Sequence, residues 1–160
     1  MNTVSVCFVC LGNICRSPTA EGVMRRLVAD AGLASRIDVD SAGTGDWHVG
    51  EAPDERAQQA AGRRGYDLSA LRARQIRVDD FRRFDLIVAM DDANVTGLKQ
   101  VCPDAPPGKI RLLMEFALQP AARVVADPYF GGGAGFETVL DQCEAACAGL
   151  LEVLRTRLAA

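Results

Sequence analysis

The feature that most constrains this chain is its punctuation: short continuous apolar runs alternate with stretches of helical periodicity. Val4–Val9 (VSVCFV) and Phe84–Asp91 (FDLIVAMD) are such runs, and Ile37–Val39 and Lys109–Met114 (KIRLLM) read as two further strands. A run rich in β-branched residues without polar alternation marks a strand covered on both faces. The segments between these runs read as helices. Ser17-Pro18 predicts a helix start, with serine at the N-cap and proline in the first turn. Met24, Leu27, Val28 and Ala31 form its apolar stripe, and Gly32 closes it. Asp54–Arg64 predicts a helix closed at Gly65, and Asp92–Gln100 a polar one. From Phe136, apolar residues at Val139, Leu140, Cys143, Cys147, Leu150, Leu151, Leu154 and Leu158 keep helical spacing and predict a long amphipathic helix.

Strand and helix in alternation predict an α/β fold: a four-stranded parallel sheet with helices on both faces, as one domain over residues 1–160. Ligands of such sheets bind beyond the carboxyl ends of the strands, where strand order reverses. The loop after the first strand, CLGNICR (Cys10–Arg16), is therefore the first place to look for chemistry.

Composition narrows that chemistry. A net charge of −3 supplies no basic face for nucleic acid. No window is apolar enough for a membrane span, and the start lacks the basic and apolar regions of a secretory signal, so a cytoplasmic location is expected. Thiols stay reduced there, and the six cysteines are read singly rather than as a disulfide framework. His48 is the only histidine, which excludes multi-histidine metal sites; no metal or cofactor is expected. A nucleophilic cysteine in this chain needs activation by something other than imidazole.

The CLGNICR loop offers that activation. Between a strand and a helix its backbone N–H groups form an anion-binding nest, to which the helix adds its positive end. Gly12 and Asn13 tolerate the positive φ values expected of such a nest. Arg16 supplies a planar fork for two oxygens of a phosphate-like anion. Cys10 at the strand's end lies at the base of the cradle. A free thiol titrates near pH 8.5, and a positive field of this kind favours the thiolate. A helix terminus alone contributes about 0.3–1 kcal/mol. The loop amides, Arg16 and the Ser17 hydroxyl are thus expected to supply most of the stabilisation.

Other cysteine readings fare less well. Cys7 and Cys10 are formally Cys-x-x-Cys, but Cys7 lies inside an apolar strand rather than at a helix start and reads as core. Cys102, Cys143 and Cys147 do not provide a second zinc-ligand pair. Cys143 and Cys147 fall on the apolar stripe of the last helix. GGGAG (Gly131–Gly135) follows no strand and reads as a flexible lead-in to that helix. Asp91, at the end of a strand, is either a helix cap or a group that tunes the site's charge.

VCLGNICRSPTAEGV near the start and DPYF (Asp127–Phe130) near the end resemble the low molecular weight protein tyrosine phosphatases. SAGTGDWHVGEAPDERA, RARQI and FDLIVAMDDAN fit the family pattern too, so the resemblance spans essentially the whole chain. It implies a flavodoxin-like fold of the phosphotyrosine protein phosphatase I type. It also implies phosphotyrosine hydrolysis through a cysteinyl-phosphate, with Cys10 as nucleophile, Arg16 as transition-state clamp and Asp127 as general acid and then base. Leu11, Gly12, Asn13, Ile14, Cys15 and Ser17 make up the phosphate-binding loop. Within it Ser17 stabilises the thiolate and Asn13 holds the loop's shape. Trp47 and Tyr129 wall a slot suited to phosphotyrosine. Cys15 is either a redox partner that forms a reversible disulfide with Cys10 or simply a small residue fitting the loop.

The implied partners are a tyrosine-phosphorylated protein and a phosphate or other oxyanion in the loop, with no nucleic acid and no membrane; the implied assembly is a monomer or weak homodimer. One departure stands out. Many relatives have a histidine where this chain has Leu71, and that histidine helps hold the loop asparagine. Alternatives on the same fold are a protein-arginine phosphatase, which favours threonine where Ile14 stands, and an arsenate reductase, whose extra cysteines near residues 80–90 are missing. A non-catalytic phosphate-binding module is a third.

Overall fold

The computed structural model describes residues 2–119 and 121–160. Four strands form one parallel sheet: β1 (Val4–Cys10), β2 (Ile37–Gly43), β3 (Leu86–Ala89) and β4 (Ile110–Leu112). Their order is β2-β1-β3-β4, with every pairing parallel. The helices are α1 (Arg16–Asp30), α2 (Glu55–Arg63), α3 (Asp80–Arg83), α4 (Asp92–Val101) and α5 (Gly133–Ala159), and a 3-10 turn spans Leu113–Phe116.

The apolar runs are continuous because each strand serves two cores. Val4, Val6, Phe8 and Cys10 of β1, with Leu86, Val88 and Met90, pack among residues of α1, α2 and α5. Their neighbours Cys7, Val9, Ile87 and Ala89 face the other way, toward Phe81, Phe84 and Leu98. Successive strand residues point to opposite faces, so a strand with helices on both sides must be apolar at every position. Fully burying a side chain such as Phe8 contributes about 1.5–3 kcal/mol relative to leaving it exposed.

Several boundaries differ from the sequence reading. β2 runs on to Gly43 because β1 pairs with it residue by residue from Val4 to Cys10. β3 and β4 are shorter than their apolar runs: Phe84 belongs to the core beneath α3, and Leu113 and Met114 to the 3-10 turn. The short α3 was not expected. Ser17 is not a cap: α1 already begins at Arg16, with Cys15 at the cap position and no side-chain cap bond. Gly133–Gly135 are not a lead-in, since α5 begins at Gly133. Asp54, by contrast, does cap α2, accepting from the Arg56 N–H, and Gly32 and Gly65 close α1 and α2 with φ of 72° and 87°.

The strand order fixes the location of the site. β1 is followed by a crossover to β2 on one side, whereas β3 lies on the other side of β1. The chain therefore diverges beyond the carboxyl ends of β1 and β3 and leaves a crevice there. Cys10 ends β1, and Asp91 follows β3 by two residues. Among the described residues no helix is long and apolar enough to cross a membrane.

Candidate active site

Residues 11–15 join β1 to α1, and neighbouring segments hold the loop by its carbonyls. Cys10, Leu11, Ile14 and Cys15 carbonyls accept from the N–H groups of Thr44, Gly45, Asp54 and Thr19 at 2.9, 2.9, 2.8 and 3.3 Å. Among the described residues the loop's own N–H groups donate no hydrogen bond, which leaves them available to an anion, as in a nest. That cavity, about 150 Å³, is lined by Cys10, Leu11, Gly12, Ile14, Cys15 and Arg16 from the loop and by Trp47, His48, Asp127, Tyr129 and Phe130 from elsewhere.

The loop turns at Asn13, the only non-glycine residue with positive φ among the described residues, at 56°. Gly12, expected to share that conformation, does not adopt a positive φ. Its Cα instead faces the His48 ring: a Cβ there would lie 3.0 Å from His48 Cδ2, a tight contact. Asn13 is held on all sides. The Arg74 backbone N–H donates to its Oδ1 at 3.0 Å, which fixes the amide's orientation. Its Nδ2 donates to Ser17 Oγ at 2.7 Å and to Ser41 Oγ at 3.0 Å. Asn13 therefore has three partners without a histidine at position 71. Leu71 itself packs against the core.

Ser17, in the first turn of α1, is fully buried and sits 3.0 Å from Cys10 Sγ. Because its oxygen already accepts from Asn13, its own proton is available to the sulfur or to the Ala42 carbonyl at 3.4 Å. Asn13 and Ser17 thus lie behind the loop rather than in the cavity wall. The chain continues below: Ser41 donates to Glu21 Oε1 at 2.6 Å, and Arg25 Nε donates to Glu21 Oε2 at 2.8 Å. Glu21 is buried, and Arg25 supplies the cation that a buried carboxylate requires. Ser41 and Glu21 went unnoticed in the sequence because nothing local marks them; their role exists only through pairing of β2 with β1.

Arg16 is 2 % exposed. Its Nη1 donates to Asp91 Oδ2 at 2.6 Å and to the Val125 carbonyl at 2.9 Å, and its Nη2 lies 3.7 Å from Asp127 Oδ2. Asp91 serves both of the roles considered for it. One carboxylate oxygen caps α4 at the Asn94 N–H (2.8 Å), and the other pairs with Arg16. Such a buried cation, already oriented by fixed acceptors, costs little reorganisation when it meets an anion.

Asp127 is half-exposed at the cavity, and its Oδ1 accepts the Tyr129 N–H at 3.0 Å. Trp47 and Phe130 stand at the rim, 68 % and 95 % exposed. His48, noted in the sequence only as the single histidine and not as a site residue, also lines the cavity, with its Nδ1 3.1 Å from Glu51. Cys15 shares the cavity with Cys10; burial, and next the Asp54 carboxylate, push its thiol up from the ordinary range. The remaining cysteines lie apart from it. Cys143 and Cys147 are fully buried on α5, and burial pushes the Cys143 thiol up to about 12.

The family profile described as low molecular weight phosphotyrosine protein phosphatase matches residues 5–160. A low molecular weight protein-tyrosine-phosphatase of Streptomyces coelicolor is 45% identical over 159 residues, covering 98% of this chain and 96% of the relative. The crystal structure of a protein tyrosine phosphatase from Entamoeba histolytica superposes with a TM-score of 0.92 at 38% identity, covering 96% of this chain and 98% of that one. A Drosophila arginine phosphatase superposes with a TM-score of 0.85 at 36% identity, covering 92% and 96% of the two chains. On this full-length agreement, in sequence and in fold, the chain belongs to the low molecular weight phosphotyrosine protein phosphatase family.

Proposed function

We propose that this protein hydrolyses phosphotyrosine and related aryl phosphate monoesters, and that Cys10, Arg16 and Asp127 carry the reaction. The observation that bears most weight is that Asp127, more than a hundred residues further along the chain, meets Cys10 and Arg16 in one cavity. Cys10 Sγ lies 3.0 Å from the Ser17 hydroxyl, and the Arg16 guanidinium bridges toward the Asp127 carboxylate at 3.7 Å.

The phosphate occupies the nest, its oxygens on the loop N–H groups and Arg16. The Cys10 thiolate attacks phosphorus as the P–O bond to the phenol breaks, and protonated Asp127 gives its proton to the departing oxygen. Asp127, now a carboxylate, takes a proton from water as that water's oxygen bonds to phosphorus and the S–P bond breaks. Inorganic phosphate leaves, and the thiolate is restored with the Ser17 O–H as its donor. Charge in the transition state is met by donors already in place, so the chain's own residues suffice for every proton and electron pair.

The test is hydrolysis of p-nitrophenyl phosphate. Cys10→Ser is expected to lose more than about a thousandfold in kcat, and Asp127→Asn about a hundredfold or more while still binding phosphate. Equal rates in all three chains exclude this assignment.

A second reading, phosphoarginine hydrolysis, draws on the Drosophila arginine phosphatase of similar fold. The buried, branched Ile14 lines the cavity and favours a flat aryl group over a guanidinium with its shell of donors. Competing phosphotyrosine and phosphoarginine peptides separate the readings; preference for phosphoarginine overturns ours.

Two further readings accompany this one. Cys15 lines the same cavity as Cys10, which supports its condensing with a Cys10 sulfenic acid formed by peroxide to give a disulfide and water. Dependence on a reduced thiol suits a cytoplasmic protein acting as a single domain on tyrosine-phosphorylated proteins.

A further inference from the structure

Asp127 belongs to the stretch between the 3-10 turn and α5, which carries no regular secondary structure in its described residues. Its backbone is therefore placed by individual contacts. Two residues before Asp127, the Val125 carbonyl accepts from Arg16 Nη1 at 2.9 Å, and the Val125 N–H donates to the Met90 carbonyl at 2.8 Å. Two residues after it, the Tyr129 carbonyl accepts from Arg56 Nη2, also at 2.9 Å. The acid thus sits midway between two carbonyls, each held by an arginine.

Arg56 is itself held in place. Its Nε and Nη2 form a fork on the Asp54 carboxylate at 3.1 and 3.0 Å, and its Cζ lies 5.5 Å from the Tyr129 ring centre and 4.8 Å from that of Phe136. The Asp54 N–H donates to the Ile14 carbonyl of the nucleophile's loop at 2.8 Å. A continuous chain of contacts therefore runs from that loop through Asp54 and Arg56 to Tyr129. The Tyr129 N–H in turn holds Asp127 Oδ1 at 3.0 Å.

We infer that Arg56 is a positioning residue for proton transfer: through the Tyr129 carbonyl it sets the distance between the Asp127 carboxyl and the leaving oxygen. Arg56 does not line the cavity, so it acts through the turn rather than on the substrate. This inference rests on Asp127 being the acid.

Its signature is selective. A displaced acid slows reactions whose leaving group needs a proton and spares those whose leaving group does not, whereas damage to the nest slows both. The experiment measures kcat/KM for phenyl phosphate and 2,4-dinitrophenyl phosphate with wild type, Arg56→Met and Asp127→Asn. Methionine keeps an apolar stem over Phe136 and removes the donors. Misplacement by about 1 Å costs up to a hundredfold. Arg56→Met is thus expected to lose tenfold or more on phenyl phosphate and little on the dinitrophenyl ester. A ratio between the two losses of about fivefold or more supports the inference, and a smaller one overturns it.

Arg56→Lys, which keeps a cation and one donor, covers misfolding of the methionine chain: its loss on phenyl phosphate should exceed twice that on the activated ester, and a smaller excess overturns the inference. Asp127→Asn separates the two layers of reasoning. If it shows no selectivity, the acid is misassigned and the inference falls with it. If it is selective and the Arg56 variants are not, only the brace fails.

Discussion

The loop that carries Cys10 and the turn that carries Asp127 face each other across one cavity, yet they are held by different means. The first is wedged between β1 and α1. Its Leu11 and Ile14 carbonyls are taken by Gly45 and Asp54 of other segments, and its asparagine is bonded to Ser17, Ser41 and the Arg74 backbone. The second is placed by a few long-range contacts, chiefly arginines reaching carbonyls on either side of the acid. A nest must present several N–H groups to one anion at once, and geometry of that kind has to exist before the ligand arrives. A proton donor needs one atom at one place, and a turn pinned at both ends is enough.

Arg16 belongs to both regions, so changing it gives the largest effect. Arg16→Lys keeps the charge but loses the fork, whose Nη1 holds Asp91 and the Val125 carbonyl while Nη2 faces Asp127. A loss of about a hundredfold to a thousandfold in kcat/KM for p-nitrophenyl phosphate is expected. A lysine variant within threefold of wild type would show that charge alone suffices.

Asn13 probes the nucleophile's side alone. Asn13→Ala and Asn13→Gly both lose the bonds to Ser17, Ser41 and Arg74, and each is expected to lose about tenfold to a hundredfold in kcat/KM. They differ in stability. Alanine at a φ of 56° costs about 1 kcal/mol more than glycine there, so the glycine chain should melt at the higher temperature. The reverse order would mean that the loop relaxes out of its left-handed turn.

The smallest effect concerns the link between the two regions. The Arg56 guanidinium, above all by hydrogen bonding, holds the Asp54 carboxyl below the usual carboxylate range. A carboxyl depressed in the folded state contributes stability above its unfolded value of about 3.9, and loses that contribution as the pH falls through the folded value. Urea unfolding from pH 5 downward should therefore show wild type losing stability more steeply than Asp54→Asn. Parallel curves would remove the charge from that link.

Much of this was legible in the residues. Nearly continuous apolar runs marked β1 and β3, whose residues pack into cores on both faces of the sheet, whereas β2, with Asp38 exposed, and β4, with Arg111, were read from shorter and mixed segments. The spacing of Cys10, Gly12, Asn13, Arg16 and Ser17 announced an anion loop because those groups are neighbours in the chain. Where the sequence reading failed, competition was the cause. Ser17 has the look of a cap, but its hydroxyl is claimed by Cys10 and Asn13; Gly12 suggests a left-handed turn, but Asn13 takes that conformation, held there by its own side-chain bonds.

The amino-acid sequence by itself determined the parallel α/β architecture, the end of the sheet where chemistry occurs and the nucleophile's loop, because those depend on periodicity and on local spacing. Only the tertiary structure decided what surrounds them: Ser41 and Arg74 on Asn13, Asp91 on Arg16, Arg56 on the Tyr129 carbonyl. These partners lie on other strands and helices, and a hydrogen bond between residues far apart in the chain leaves no periodic trace in either segment. Their meeting is fixed by strand order and register, which exist only once the chain has folded.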